Sequence, residues 1–424
     1  MSTNASTTSY QHATTKTVTA GGVDYAYGEL GTGTGVPVVF LTHLAANLDN
    51  WDPRLVDGLN LTNQRNFSMT TKHLQQPLTV GRVELPHRLA MAPMTRNRAQ
   101  RDGTPGPLAA AYYGQRASLG MVITEGSQPS GDGQGYPNTP GIYTQAHIDG
   151  WRTVADAVHA GGGSLFIQLM HAGRMSHPDN TPHHRPPLAP SAIKANQDMY
   201  TADGAKKSAL PREMSLEDIR QTIADFRHAA ASAIAAGADG VEIHGANGYL
   251  LHQFLSPNAN HRTDAYGGSV ENRSRFIIEL ATAVADEIGA DRVGIRLSPG
   301  MPLGGIQEGD GVRDQYRHLV PELAKLNLAF LDVFHVGDDE LLREFRAAWP
   351  TALLVVRVGR SREELAHDVE NGLADVVPLG RWALANPDAA ERIFSDAPLN
   401  EPDPATFYGG DATGYTDYPA LARA

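Results

Sequence analysis

The residues best suited to chemistry lie in one short stretch, His244-Gly-Ala-Asn247-Gly-Tyr249. His244 closes the apolar run Val241-Glu242-Ile243, which reads as a β-strand, and Asn247 and Tyr249 follow within a glycine-containing turn. Three polar side chains can therefore converge on one small volume at a strand end. A neutral imidazole and a carboxamide each offer an N–H donor, which suits an oxygen where negative charge develops. A phenol beside them can hand a proton to a carbanion formed next to the carbonyl. Alone, the set has a plainer reading: a His and an Asn that satisfy a strand–loop junction. A single His-x-x-Asn does not outweigh that.

Similar polar clusters close other apolar runs. Ala92-Pro93-Met94-Thr95-Arg96, Gln168-Leu-Met170-His171-Ala-Gly-Arg174 and Gly294-Ile-Arg296-Leu-Ser-Pro299 each follow a strand-like segment. The elements that must position them alternate along the chain. Strands are predicted at Leu89–Met94, Met121–Gly126, Ser164–His171, Gly240–Gly245, Arg292–Ser298, Phe330–Val336, Leu353–Gly359 and Asp375–Arg381. Helical patterns lie between them at Pro107–Ser118, Ile148–Ala160, Ser215–Ala236, Ser269–Gly289, Val312–Leu326, Glu340–Trp349 and Ser361–Asn371, with a last helix after Pro387. Eight such units predict a closed (β/α)8 TIM barrel. Ser361 with Glu364 fits a capping box, Ser215 with Asp218 is a looser version, and Gly237 and Gly289 sit where helices should stop. Polar groups at several strand ends of one barrel read as a shared site.

Composition narrows the function. The chain has 424 residues, 41% hydrophobic and 19% charged, with a formal net charge of -12. A nucleic-acid partner is repelled overall, while a local phosphate pocket is still allowed. With no cysteine, thiolate nucleophiles, disulfides and iron–sulfur clusters are excluded. No metal site is expected. No apolar run is long enough to span a membrane, so the expectation is a soluble cytoplasmic protein, monomer or homodimer. Met175–Glu213, with His183-His184-Arg185-Pro186-Pro187, reads as a solvated loop over the C-terminal face of the barrel.

The first 68 residues stand apart, and a barrel domain is expected over residues 69–424. Val23–Leu30, Val36–Leu41, His43-Leu-Ala-Ala-Asn47 and Trp51 resemble the opening strands and oxyanion loop of an α/β-hydrolase, yet the chain has no Gly-x-Ser-x-Gly elbow. Residues 1–68 therefore read as a truncated, vestigial or fusion-derived extension rather than a working hydrolase.

One known family unites these features. Leu251-His-Gln-Phe-Leu-Ser-Pro257, Arg262-Thr-Asp-Ala-Tyr-Gly-Gly-Ser-Val-Glu-Asn-Arg273, Gly380-Arg381 with Ala385-Asn-Pro387, and the tail Phe407-Tyr-Gly-Gly410 with Gly414-Tyr-Thr-Asp-Tyr418 resemble the Old Yellow Enzyme family of FMN ene-reductases. The likeness runs from about Leu74 to Leu421 and is most similar to the N-ethylmaleimide and pentaerythritol tetranitrate reductase branch. It implies bound FMN, NADPH or NADH as reductant, and small electron-poor alkenes as substrates. It implies that Ala92, Pro93, Met94 and Thr95 contact the flavin, that Gln168 meets its pyrimidine edge, and that Arg296 lies near N1 and the C2 carbonyl. Gly126 would let the ring approach the backbone. Gly359, Arg360, Gly380 and Arg381 would hold the phosphate, Tyr136, Met170 and Tyr408 would line the substrate side, and His244, Asn247 and Tyr249 would be catalytic.

Two departures stand out. In Arg357-Val358-Gly359-Arg360 an expected glycine is Val358, and Met170 stands where the branch commonly has tryptophan. Related barrels with a cysteine-bound iron–sulfur cluster are excluded by composition. The remaining alternative is a flavin-binding protein that has lost catalysis.

Overall fold

The computed structural model describes residues 15–20, 23–28 and 71–422. The chain divides into two compact units, residues 1–70 and 71–424. In the first, Thr15–Ala20 and Val23–Gly28 pair antiparallel, with Val18 opposite Tyr25. The strand predicted at Val36–Leu41 and the segment from His43 to Trp51 lie outside the described residues.

The second unit is built on eight parallel strands. They are β1 (Leu89–Met91), β2 (Met121–Ile123), β3 (Ser164–Leu169), β4 (Gly240–Gly245), β5 (Val293–Leu297), β6 (Phe330–His335), β7 (Ala352–Arg357) and β8 (Val377–Leu379). Each lies within or beside a segment predicted from sequence. Neighbours pair in chain order, β8 pairs back onto β1 with Leu379 opposite Met91, and a Leu354–Val376 bridge joins β7 to the β8 segment. The result is a barrel, with the helices between successive strands.

Alternation along the strands sorts side chains into two cores. Leu165, Ile167 and Leu169 of β3 and Val241 and Ile243 of β4 face outward, clustered with Phe226, Phe276 and Tyr316 of the helices. Phe166, Phe330, Met121, Ile123 and Leu354 fill the interior, joined by Val80 and Leu85 of a hairpin (Leu78–Val80 with Val83–Leu85) that precedes β1. The interior is tight: a Cβ on Gly294 would run into the Phe330 ring. The same parity sends Gln168, two residues beyond Phe166, and Asp332, two beyond Phe330, into the barrel above this plug.

Helix boundaries follow their caps. Helix α1 (Leu216–Ala235) begins at a complete Ser215–Asp218 capping box, and α2 (Val270–Ile288) ends at Gly289, whose φ is +91°. The Ser361–Glu364 pair forms only half its box. Glu364 accepts from the Ser361 backbone N–H at 2.9 Å, but the helix there is limited to His367–Glu370. The excursion from Met175 to Glu213 is more ordered than predicted. It carries an antiparallel hairpin (Asp198–Thr201 with Gly204–Lys207) and a short parallel pair (Leu188–Ala189 with Arg212–Glu213). Its Met175, Ala195 and Met199 cluster with Ala172 against Tyr136 and Tyr249. His183 lies 2.8 Å from Asp132, and no group of three metal-ligating side chains occurs among the described residues. Among them no helix is long and apolar enough to cross a membrane.

Candidate active site

The interior side chains at the C-terminal ends of β3 to β6 form one buried polar belt. Strand register places Gln168 opposite Glu242, His244 opposite Arg296, and Arg296 opposite Asp332. Gln168 Nε2 donates to Glu242 Oε1 at 2.7 Å, and Arg296 Nη1 donates to Asp332 Oδ2 at 2.9 Å. Burial raises the pKa of both carboxyl groups, and the neighbouring Asp332 raises that of Glu242 further. Neither acid was singled out from sequence, although Glu242 shares a face with His244 in Val-Glu-Ile-His.

His244 is buried. Desolvation, reinforced by the positive Arg296 and by His252, holds its pKa well below the ordinary imidazole value, so the ring is neutral. Its Nδ1 and the Asn247 Oδ1 have no hydrogen-bond partner among the described residues. The turn that follows is held from behind. Asn247 (φ +55°) donates its backbone N–H to Ser298 Oγ at 2.8 Å, and Gly248 donates to His252 Nδ1 at 3.1 Å. His252 Nε2 faces Glu308 Oε1 at 3.3 Å, and Glu308 Oε2 accepts from the Gly300 N–H. A side chain on Gly248 (φ +82°) would strike the Leu303 carbonyl, so the turn can sit this close only with glycine.

Tyr249 comes back over His244, with ring centroids 5.2 Å apart, and its hydroxyl donates to the Tyr136 hydroxyl at 3.3 Å. Burial pushes the Tyr249 phenol well above its usual pKa, so it keeps its proton. Tyr408 is exposed, yet close enough to raise the pKa of both Tyr136 and Tyr249. Met170 is buried and fills the space over Gly126, where an added Cβ would meet its sulfur. In this structure the small residue at 126 therefore makes room for Met170.

The β1 end is positioned by an acid the sequence reading passed over. Glu125 Oε2 accepts the backbone N–H groups of Arg96 at 2.9 Å and Asn97 at 3.2 Å, immediately after the half-buried Thr95. Ala92 donates to the Leu379 carbonyl, and Met94 sulfur is the near neighbour of Gly380, so the ends of β1 and β8 adjoin. Arg381 is exposed and makes no ion pair among the described residues. Arg360 is different: its Nη2 donates to Asp368 Oδ2 at 2.8 Å, and Arg357 donates to the same carboxylate. Burial opposes ionisation of Asp368, but these arginines prevail and its pKa lies below the ordinary value. Gly359 (φ +80°) is open to solvent, and Val358 is 74% exposed.

The residues present suit FMN. Arg296 Nε, His244 Nδ1 and Asn247 Oδ1 are buried without partners, as expected of groups that meet a polar ligand. Gly359, Gly380 and Arg381 leave an open, positively charged edge at the ends of β7 and β8, where barrel phosphate sites lie.

Comparison with known proteins agrees. The NADH:flavin oxidoreductase / NADH oxidase family model matches residues 73–400. The chain is 44% identical to 12-oxophytodienoate reductase 1 of Oryza sativa subsp. japonica over 82% of its length and 93% of the plant protein. It is 40% identical to a probable flavin mononucleotide-dependent alkene reductase of Leishmania infantum, over 82% of this chain and 97% of that one. Its fold matches morphinone reductase with a TM-score of 0.79 at 41% identity, covering 82% of this chain and 96% of that one. The chain therefore belongs to the NADH:flavin oxidoreductase / NADH oxidase family, the Old Yellow Enzyme group of FMN-dependent barrels.

Proposed function

We propose that this FMN-dependent oxidoreductase uses NADPH or NADH to reduce the C=C bond of small α,β-unsaturated carbonyl or nitro compounds, as an N-ethylmaleimide reductase-like enzyme. The observation that carries the reading is the meeting, beyond β4, of a neutral buried His244, the unpartnered Asn247 and the Tyr249–Tyr136 hydroxyl pair. Bound FMN supplies the two-electron carrier between nicotinamide and alkene.

The protein's own groups do the rest. His244 and Asn247 bind the activating oxygen, and their N–H donors stabilise the negative charge that grows on it as the β-carbon is reduced. Neutrality at His244 matters, because an imidazolium would be costly to keep buried beside Arg296. Tyr249 delivers its hydroxyl proton to the α-carbon once that hydroxyl turns from Tyr136, whose own O–H can then donate to the phenolate oxygen left behind. Thr95, with Ala92, Pro93 and Met94, borders the flavin from β1, while Gln168 and Arg296 meet its pyrimidine edge. Gly359, Gly380 and Arg381 hold the phosphate, with Arg360 steadied by Asp368. Met170 and Tyr408 shape the substrate side.

An anaerobic visible spectrum titrated with NADPH and then 2-cyclohexenone tests this. The flavin band should bleach with NADPH and return with the enone. Bleaching without return would mark an oxidase or a non-catalytic flavoprotein. A protein colourless after added FMN would overturn the cofactor assignment.

A further inference from the structure

We propose that Glu242 and Asp332 share one proton beneath the flavin site, so that Glu242 stays a neutral hydrogen-bond donor and Asp332 is the sole counter-ion of Arg296. The inference rests on the reading that places Gln168 and Arg296 against the flavin.

Glu242 and Asp332 are completely buried, on β4 and β6, and lie close enough for each to act on the other's proton. Glu242 Oε1 is engaged by Gln168 and Asp332 Oδ2 by Arg296. The oxygens left over are Glu242 Oε2 and Asp332 Oδ1, and neither accepts a hydrogen bond from any described donor. Two carboxylate oxygens hydrogen-bond only if a proton lies between them. The charged or titratable groups acting on the pair are few: Arg296 on β5 faces both acids, and His244 on β4 lies beside Arg296 and is neutral. A single guanidinium cannot neutralise two buried carboxylates, so one acid keeps its proton. Asp332, held directly by Arg296, is the one that ionises.

The shared proton sets the direction of every hydrogen bond in the belt. Glu242 accepts from the Gln168 amide nitrogen, which leaves the Gln168 carbonyl oxygen as an acceptor for the ligand. Glu242 donates to Asp332, Asp332 accepts from Arg296, and the unpartnered Arg296 Nε remains a donor. An acceptor and a cationic donor are thus presented side by side. The belt is neutral overall until the ligand gains electrons, when Arg296 can answer the new negative charge. Glu242 and Asp332 are positioning residues in this scheme, acting through Gln168 and Arg296.

Glu242→Gln in the FMN-loaded enzyme tests it, because a carboxamide reproduces a neutral acid: its oxygen accepts from Gln168 and its NH2 donates to Asp332. FMN affinity should stay within about twofold of wild type at neutral pH. Infrared spectra of the wild type should contain a buried carboxylic-acid C=O band that the variant lacks. Asp332→Asn, which strips Arg296 of its counter-ion, should raise the affinity for reduced relative to oxidised FMN by about tenfold or more. Loss of tenfold or more in FMN affinity in Glu242→Gln, or a wild-type spectrum without the acid band at neutral pH, overturns the proposal. If Asp332→Asn does not fold, the band and the Glu242→Gln affinity still decide. None of these readouts uses an alkene, so failure of the enone titration alone would count against the proposed function and leave this proposal standing.

Discussion

His244 illustrates how a residue's role depends on what surrounds it. An exposed imidazole would titrate near neutrality; here desolvation and the facing Arg296 keep it uncharged, a donor rather than an acid. We expect His244→Ala to raise the KM for 2-cyclohexenone and slow the enone half-reaction by about a hundredfold, the usual cost of losing one oxyanion donor. Stopped-flow reoxidation of the reduced enzyme reads this directly, and an unchanged rate would remove His244 from the mechanism. The His, Asn and Tyr of this turn became candidates in sequence only together with the polar clusters at other strand ends and the family resemblance, since alone the set also reads as a satisfied strand–loop junction. Glu242, Asp332 and Glu125 were not singled out, since an isolated acid within or just after a strand shows neither which face it takes nor what lies opposite.

The elements position these residues through a few definable contacts. Glu125 ties the segment after β1 to the end of β2, and burial raises its pKa to about 7 against the hydrogen bonds from Arg96, Asn97 and Tyr113. The folded pKa lies above the unfolded value of 4.5, so the native state holds the proton longer. Glu125 is therefore least unfavourable to folding below about pH 4.5, and stability falls as pH rises towards 7, by about 3 kcal/mol in all. Glu125→Gln, which cannot ionise, should flatten that part of the pH–stability curve measured by denaturant unfolding. A slope equal to wild type would contradict the assignment. The α1 cap gives a second check: Ser215→Ala removes a side-chain acceptor from the Asp218 N–H and should cost about 1 kcal/mol, seen as a lower Tm with FMN content unchanged. The caps at Ser215 and Gly289 were readable because the box and the stop are local in sequence. The Ser361 box misled for the same reason. Its local hydrogen bond forms, while Arg357 and Arg360 converge on Asp368 and the chain reaches helical geometry only at His367.

For the whole molecule, the eight strands were placed from sequence because each pairs an apolar run with a stop, and the helices between them carry a different period. We propose that residues 1–68 are dispensable to the barrel, because the family match begins only at residue 73. A chain beginning at Met69 should bind FMN and turn over 2-cyclohexenone at a rate within about twofold of the full chain. Loss of FMN or of thermal stability on that truncation would assign the extension a structural part.

The order of elements and the barrel are present in the linear pattern, because residue type and spacing along one chain encode them, while the flavin and the proposed reacting side chains came from the family resemblance. Folding alone settled three things. It placed Met170 against Gly126, where an added Cβ would meet its sulfur. It tied Arg360 to Asp368 and left Arg381 without an ion pair among the described residues. It also brought Gln168, Glu242, Arg296 and Asp332, from four strands, into one buried belt. Each depends on which strands become neighbours and on how much water is excluded between them, and a pKa or a hydrogen-bond direction is set by that surrounding rather than by the residue's name.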